Sequence, residues 1–344
     1  MRHAFFAASL LMLAACQNQP GGGARDQIRA VGSSTVYPFA QEAVRLFQND
    51  NPGMKAPIIE STGTGAGISL FCKGVGAQNP DIANASRRMK KSEFEACKAN
   101  GVNEIIEIQI GLDGLALAES VKGPKIALTT KQVYEALAAN PYGKGPNKAK
   151  TWQDIDPALP AIAISVFGPP STSGTRDSLA ELILTPGCDS DPAMKELKAK
   201  DEDKHKQICT QIREDGAYVD AGENDNLIVQ KLGANPDAVG IFGFSFLEAN
   251  RDTVRDIAIN GQEATYETVA GGSYPGARPL YIYVKKAHLA AIPGLKAYME
   301  AFAKNWAPDG ALARRGMVAA PEDVRAANAE RIANLTVLNG DELH

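Results

Sequence analysis

The chain has 344 residues, with 44% hydrophobic and 22% charged side chains, a composition typical of a globular protein with about two domains. Its formal net charge of -4 argues against non-specific nucleic-acid binding, so any bound anion must be held by local geometry. The four histidines are scattered and no C-x-x-C spacing occurs, which argues against a metal site.

The first residues predict export. Two basic residues precede an apolar run, residues 4–15, that is too short to span a bilayer in the usual way and is typical of a secretory signal. The sequence Leu-Ala-Ala-Cys that ends at Cys16 resembles a bacterial lipobox, which implies a lipid on Cys16; simple secretion is the alternative. We therefore expect a signal peptide over residues 1–15 and a flexible tether over residues 16–26.

Four cysteines remain after Cys16, and an even number in an exported chain predicts disulfides. Three pairing schemes exist for four cysteines. We favour Cys72 with Cys97 and Cys188 with Cys209, because each of these pairs is close in sequence and closes a local loop.

The first two elements are strands that each lead through a hydroxyl-rich loop into a helix. Residues 28–31 predict a strand, followed by the loop Gly-Ser-Ser-Thr-Val and an amphipathic helix from Phe39 to Phe47. Residues 58–60 predict the second strand, before the loop Ser-Thr-Gly-Thr-Gly-Ala-Gly and a helix that opens at Ile68. The second loop is not a dinucleotide fingerprint, because Ile68 stands where the last glycine would be.

The next stretch predicts a connection between domains. Residues 81–86 predict a short strand that ends at Arg87, and Ser92 with Glu95 has the pattern of a capping box for the following helix. Residues 104–118 are a long strand-like run with glycines in the middle. Such a run fits a segment that crosses between two domains, and a single bent strand with a bulge is the alternative.

The second half repeats the strand, loop and helix order once more. A strand over residues 161–167 leads to the loop Pro-Pro-Ser-Thr-Ser-Gly-Thr and a helix with Leu179, Leu182 and Ile183 on one face. The other predicted elements are strands over 126–128, 238–244 and 278–285, helices over 131–139, 227–232 and 322–335, a polar helical excursion over 186–216, and an amphipathic helical face from Leu289 to Phe302.

The three junctions together favour an anion site. A helix beginning leaves backbone N–H groups without intrahelical partners and carries the positive end of the helix dipole. Gly174 allows close approach, Ser173 and Thr175 add hydroxyl donors, and Arg176 adds a cation. Taken alone, Ser-Gly-Thr-Arg is more typical of ordinary helix capping. Three such helix beginnings around one cleft would suit a small tetrahedral oxyanion.

Five segments, in order, resemble the phosphate-binding subunit of bacterial phosphate ABC transporters: residues 32–36, 61–67, 81–87, 173–177 and 236–240. The resemblance covers nearly the whole chain from Ile28 onward. It implies an α/β, two-lobed periplasmic binding protein fold of type II, with two crossing strands and a ligand cleft between the lobes. We expect lobe 1 over residues 27–112 and 283–344, and lobe 2 over residues 113–282.

The resemblance also implies the ligand residues. Thr35, the N–H of Val36 and Thr64 would bind from lobe 1, where we add Ser34 of the same loop; Ser173, Gly174 and Thr175 would bind from lobe 2.

Two positions depart from the family pattern. Arg87 replaces an aspartate that accepts the phosphate proton, and Pro169 replaces an arginine. Arg87 and Arg176 are candidates for the missing cation, although Arg87 could simply face solvent. Asp113, Asp177 and Asp225 are candidates for the proton acceptor.

The resemblance implies a lipid-anchored, periplasmic and monomeric receptor that captures inorganic phosphate and delivers it to an ABC transporter permease. We expect no cofactor, no metal and no enzymatic activity, because no histidine lies near a hydroxyl loop in sequence and no G-x-S-x-G pattern surrounds Ser173. The alternatives are a receptor for another, sulfate-like oxyanion, a receptor for a larger phosphorylated ligand, and a non-transport scaffolding lipoprotein.

Overall fold

A computed structural model describes residues 25–171, 173–222 and 225–343. The predicted signal peptide, residues 1–15, and Cys16 lie outside these residues. In the described chain nine strands form one sheet in the order β2-β1-β3-β9-β4-β7-β5-β6, and β8 pairs with β4. The strands are β1 (Arg29–Gly32), β2 (Ile58–Ser61), β3 (Ile82–Ala85), β4 (Ile105–Ser120), β5 (Val166–Gly168), β6 (Tyr218–Asp220), β7 (Val239–Gly243), β8 (Val254–Asp256) and β9 (Ala277–Lys285).

The helices mostly follow the strands, as in other α/β proteins. They are α1 (Tyr37–Asp50), α2 (Thr64–Phe71), α3 (Lys91–Ala99), α4 (Thr130–Leu137), α5 (Trp152–Ile155), α6 (Gly174–Ser178), α7 (Thr185–Cys188), α8 (Pro192–Lys200), α9 (Glu202–Thr210), α10 (Asp225–Ala234), α11 (Phe244–Glu248), α12 (Tyr266–Ala270), α13 (Leu295–Ala303), α14 (Ala311–Arg314) and α15 (Glu322–Asn334). A π-helical segment, Leu179–Leu184, joins α6 to α7. Among the described helices, none has both the length and the apolar character needed to cross a bilayer.

Strands β4 and β9 connect the two halves of the sheet. β4 pairs with β9 from Ile105 to Gly114, and from Leu115 onward it pairs with β7 and β8. The register shifts between Gln109 and Gly111, so β4 is both a connection between the halves and a single strand with a bulge. We call the half with β1, β2, β3 and β9 lobe 1, and the half with β5 to β8 lobe 2. The predicted residue boundaries of the lobes stay a prediction.

Each lobe has its own core. In lobe 1, one apolar cluster lies under α1, α13 and α15 and another lies under α2 and α3, so helices cover both faces of the sheet. In lobe 2 a single large cluster packs α4, α7 and α10 around β5 and β7. The prediction of an α/β fold with two lobes and crossing strands is confirmed.

Both predicted disulfides are present. Cys72–Cys97 joins the end of α2 to α3, and Cys188–Cys209 joins α7 to α9. They close loops of 25 and 21 residues, and cross-links of that span typically stabilise a fold by about 3 kcal/mol. The predicted polar excursion is confirmed as the pair α8 and α9.

Two local predictions near helix and strand ends were wrong. The cap of α3 is not Ser92 with Glu95: the helix begins earlier, and Glu93 accepts the N–H of Lys90 at 2.9 Å. Residues 126–128 form no named strand, because only an isolated bridge joins Leu128 to Ile259.

Two further predictions had the right element with the wrong extent. The strand predicted over residues 161–167 is the shorter β5, which starts at Val166. The amphipathic face from Leu289 to Phe302 is not one helix. Gly294 adopts a left-handed conformation, with φ of 78°, and α13 starts only after it.

Candidate functional site

The first hydroxyl loop, Ser33–Val36, follows β1 and folds back on itself. Ser33 is buried, its N–H donates to the carbonyl of Asn84 at 2.9 Å, and its Oγ accepts the N–H of Val36 at 3.3 Å. The loop has this shape because β1 ends at Gly32, which has a φ of 135° and lies directly on the Asn84 backbone. These contacts direct Ser34 and Thr35 toward lobe 2.

The lobe 2 loop ends at Ser173, which caps α6. Its Oγ accepts the N–H of Thr175 at 3.2 Å, and its carbonyl accepts the N–H groups of Arg176 and Asp177 at 3.1 and 3.2 Å. The helical stretch continues through the π-helical segment into α7. The predicted helix beginning therefore exists at the residues where the sequence placed it.

The two loops contact each other across the lobes. The Thr35 Oγ1 donates to the carbonyl of Gly174 at 3.4 Å, and the Ser34 Oγ donates to the carboxylate of Asp177. A Cβ on Gly174 would lie only 2.9 Å from the Cα of Thr35. A glycine is therefore required at this position for the loops to approach so closely.

A cavity of about 730 Å³ opens beside this contact. The predicted ligand residues in its lining are Ser34, Thr35, Ser173, Gly174 and Thr175. Among the proposed proton acceptors, Asp113 and Asp225 line the cavity, while Asp177 accepts from Ser34. The remaining wall is partly apolar, with Phe39 and Phe246, and partly cationic, with Arg314 and Arg315.

The second hydroxyl loop of lobe 1, residues 61–67, lies next to the first but does not line this cavity. Two of its N–H groups, those of Thr62 and Gly63, donate to the carbonyl of Gly32 at 2.8 and 2.9 Å. The Thr64 Oγ1 lies 3.0 Å from the Ser86 Oγ and accepts the N–H of Ser86 at 3.1 Å. The structure thus places Thr64 at the same edge of the sheet, engaged with its own lobe.

Arg87 lies beside that loop and pairs with Glu93. Its two terminal nitrogens donate to the carboxylate of Glu93 at 2.9 and 2.7 Å. The hydrogen bond to Glu93 raises the pKa of Arg87 more than burial lowers it, and the charge of Glu181 in lobe 2 adds to the increase. Burial alone would raise the pKa of Glu93, but the hydrogen bonds from Arg87 and Lys90 outweigh it and the pKa is lowered. Arg87 is therefore a half-buried, paired cation.

Arg176 points away from the loop contact. It donates to the carbonyl of Pro169 at 3.2 Å and stacks on the ring of Tyr218, 4.5 Å from the ring centre. Burial raises the pKa of Tyr218 to about 12, so this ring stays neutral, and its hydroxyl donates to the same carbonyl at 2.6 Å. Arg176 therefore stabilises the chain at Pro169, before Ser173, through this hydrogen bond and the contact with Tyr218.

Arg278, a buried cation at the start of β9, was not among the predicted site residues. It is only 6% exposed and lies opposite Asp113 in the β4–β9 register. Its Nη2 donates to Thr35 Oγ1 at 2.9 Å and to Ser178 Oγ at 2.8 Å. The sequence contains only a weak indication of its role, because Arg278 is simply a charged residue at the first position of the strand predicted over residues 278–285.

Among the residues that the structure describes, one group of side chains has the spacing of a metal site. Ligand atoms of Cys188, His205 and Cys209 lie within 4.8 Å of one another. Both sulfurs belong to the Cys188–Cys209 disulfide, and His205 lies 2.7 Å from Asp189. A disulfide has no thiolate to offer a metal, so this group is structural.

Comparison with known proteins identifies related sequences. A family model described as the PBP superfamily domain matches residues 17–305. Protein SphX of Synechococcus elongatus is 31% identical over 292 residues, which cover 81% of this chain and 76% of that protein. The phosphate-binding protein PstS of Staphylococcus saprophyticus is 26% identical over 298 residues, which cover 84% and 81% of the two chains.

Solved structures share the fold. A possible phosphate binding protein from Planctomyces limnophilus superposes with a TM-score of 0.71 at 24% identity, over 90% of this chain and 98% of that one. An ABC-type phosphate transport receptor from Vibrio cholerae superposes with a TM-score of 0.58 at 20% identity, over 85% and 99%. Because these identities are low, the two structures show the fold alone.

Proposed function

Because this chain belongs to the PBP superfamily, we propose that it is a substrate-binding receptor that captures inorganic phosphate between its lobes and delivers it to an ABC importer. Relatives named for phosphate binding align with most of its length. The protein is accordingly a binding protein and not an enzyme.

One observation carries the proposal: the loop with Ser34 and Thr35 meets the cap of α6 across the lobe boundary. Hydroxyl groups from both lobes then line one cavity, next to a helix beginning with its positive dipole end. An anion that accepts hydrogen bonds from both lobes stabilises only the arrangement in which the lobes are closed on it. The ligand would therefore hold the two lobes together.

The proposed ligand contacts follow from these positions. The hydroxyls of Thr35, Ser173 and Thr175 and the N–H of Gly174 would donate to the phosphate oxygens. The N–H of Val36 would exchange its long bond to Ser33 Oγ, 3.3 Å, for the anion. Thr64 would join from the second loop, which requires it to exchange its contacts with Ser86. Arg87 would reach the anion only if Glu93 released it.

Titration calorimetry with inorganic phosphate tests the proposal. We expect one phosphate bound per chain, and we expect Ser173→Ala to weaken binding by about tenfold or more, because a hydrogen bond to a charged ligand is lost. Asp191→Ala is the matched control: Asp191 caps α8 in the same lobe, with Oδ1 2.9 Å from the N–H of Ala193, and does not line the cavity. A wild-type protein that does not bind phosphate would refute the proposal.

The carboxylates of the cavity bear on whether the site prefers phosphate to sulfate. Asp113 and Asp225 bring carboxylates to the cavity, and a carboxylate accepts a hydrogen bond only from a ligand that still carries a proton. At pH 8 hydrogen phosphate has such a proton and sulfate has none. We therefore propose that phosphate is preferred, and competition calorimetry at pH 8 in which sulfate binds equally well would make this a general oxyanion receptor.

A second candidate ligand is supported by the size of the cavity. About 730 Å³ is within the range of pockets that hold drug-sized molecules, and Phe39 and Phe246 add apolar surface. A phosphate ester with an organic substituent would use both the hydroxyl groups and these rings. Binding of such an ester, with no binding of inorganic phosphate, would favour this candidate.

The proposal of a lipid anchor is supported by the sequence alone. We propose that Cys16 is lipidated and holds the receptor to the membrane on the periplasmic side. Labelling with a radioactive fatty acid should mark the wild-type protein, and Cys16→Ser should abolish the label and release the protein in soluble form. Equal labelling of both proteins would exclude Cys16 as the lipidated residue.

A further inference from the structure

Arg278 occupies the junction of the lobes, where β9 enters lobe 1. Its Nη2 donates to Thr35 of lobe 1 and to Ser178 of lobe 2, and its Nη1 pairs with Glu181. Its Nε lies 3.4 Å from the carboxylate of Asp113. This Nε is buried and has no hydrogen-bond partner among the described residues. One cation thus contacts both lobes and the first crossing strand.

The bond to Thr35 fixes the direction in which this hydroxyl donates. A guanidinium can only donate hydrogen bonds, so Thr35 Oγ1 must accept from Arg278. The hydroxyl hydrogen is then left for another acceptor, and in the structure this is the carbonyl of Gly174 at 3.4 Å, a long bond. A hydroxyl that accepts from a cation is also a stronger donor, because the two bonds polarise each other. Thr35 is therefore prepared to donate to an anion.

The other candidate cations are committed elsewhere. Arg87 pairs with Glu93, Arg176 stacks on Tyr218, and Pro169 stands where an arginine was expected. Arg314 and Arg315 line the cavity but are exposed. Arg278, in contrast, is buried and in direct contact with Thr35, a predicted ligand residue.

We propose that Arg278 is the positioning residue of the anion site, acting through Thr35: it orients the Thr35 hydroxyl toward the ligand. The inference rests on the proposed function, because the anion it names is the phosphate bound between the lobes. It assigns a role to a residue of β9, whereas the resemblance placed all ligand residues in loops.

The test measures phosphate affinity by calorimetry for Arg278→Gln, Thr35→Val and the double variant. Each single variant should weaken binding by about tenfold or more, since each removes an interaction of a charged group. Because Arg278 acts through Thr35, the loss of phosphate affinity in the double variant should be only slightly greater than the larger of the two single losses. The proposal would be overturned by a loss in the double variant that equals the product of the two single losses, or by wild-type affinity in Arg278→Gln.

A buried arginine can also be purely structural, so Arg213→Gln is the matched control. Arg213 is 4% exposed, pairs with Asp215 and donates to the carbonyls of Ala136 and Ala149 inside lobe 2. Its replacement should lower the melting temperature and leave phosphate affinity unchanged. Equal behaviour of the two arginine variants would assign Arg278 a structural role only and overturn the proposal.

Arg278→Lys keeps the measurement decisive if Arg278→Gln does not fold. Lysine retains the charge but lacks the forked donor geometry, so we expect an affinity between those of the wild type and Thr35→Val. Unchanged affinity in Arg278→Lys combined with unchanged affinity in Thr35→Val would overturn the inference while phosphate binding itself stands. If the wild type binds no phosphate, the proposed function and this inference both fail.

Discussion

The two hydroxyl loops of lobe 1 leave neighbouring strands but contact different partners. The first, Ser33–Val36, reaches lobe 2 through Ser34 and Thr35. In the second, Thr64 bonds to Ser86 of the same lobe, and nearby Arg87 bonds to Glu93. The first loop is therefore completed by closure of the lobes, whereas the contacts of the second are formed within lobe 1.

Because of this difference, we expect changes at the first loop to affect phosphate affinity and changes at the second loop to affect mainly the stability of lobe 1. A change at the first loop acts on the closed arrangement, which is the one that binds an anion with both lobes. A change at the second loop acts first on lobe 1, and reaches the ligand only if Thr64 or Arg87 exchanges its present partner. The following variants probe this separation.

The largest effect is expected at the contact between the loops. In Gly174→Val the new side chain would overlap the backbone of Thr35, because a Cβ there already lies 2.9 Å from its Cα. We expect phosphate affinity to fall by about 100-fold, since overpacking at such a contact costs about 1 to 3 kcal/mol. Calorimetry measures the loss.

Gly233→Val serves as the control for that variant. Gly233 lies in α10, and a Cβ there meets no atom within 4 Å. Its replacement should leave the affinity unchanged. If Gly174→Val also binds phosphate with wild-type affinity, binding does not require the close approach of the two loops. The contact of the first loop with lobe 2 would then not distinguish it from the second loop.

A smaller effect is expected for Thr64→Ala. As a predicted ligand residue, Thr64 should contribute one hydrogen bond to the anion, so its loss should weaken binding by about tenfold. Thr62→Ala is the control, because Thr62 belongs to the same loop and its buried Oγ1 has no hydrogen-bond partner among the described residues. Unchanged affinity in Thr64→Ala would confine the second loop to a role within lobe 1.

The smallest effect is expected for Glu93→Gln, and it concerns stability. The lowered pKa of Glu93 means that its charged form favours the folded state. Its contribution is therefore present above the pKa of an unfolded glutamate, about 4.3, and is lost as the pH falls through the lower folded value. We expect Glu93→Gln to lower the free energy of unfolding by about 0.5 kcal/mol at pH 7.

Urea unfolding at several pH values measures this difference, which should vanish toward pH 3. Because the Arg87–Glu93 pair lies within lobe 1, phosphate affinity should change little. A large change in affinity would show that Arg87 reaches the ligand once Glu93 releases it. A stability difference that is constant with pH would contradict the ionic origin.

Local patterns predicted the three junctions because apolar periodicity surrounds dense clusters of glycine and hydroxyl residues. The same patterns could not predict Arg278, whose contact with Thr35 joins residues that are 243 positions apart. They also failed at Gly294, where one apolar face continues although the backbone turns. Ser173 could be identified from the sequence because helix capping is local, while the engagement of Arg87 with Glu93 depends on how the chain bends after β3.

The sheet order also has a consequence for how the chain folds. Strands β3 and β4 are consecutive in sequence, yet β9 lies between them, so lobe 1 cannot close its sheet until residue 285 has been synthesised. Lobe 2 is built from the intervening chain and can form earlier during synthesis. A nascent chain that stops before β9 would expose the edges of β3 and β4, and unpaired edges are sites of aggregation.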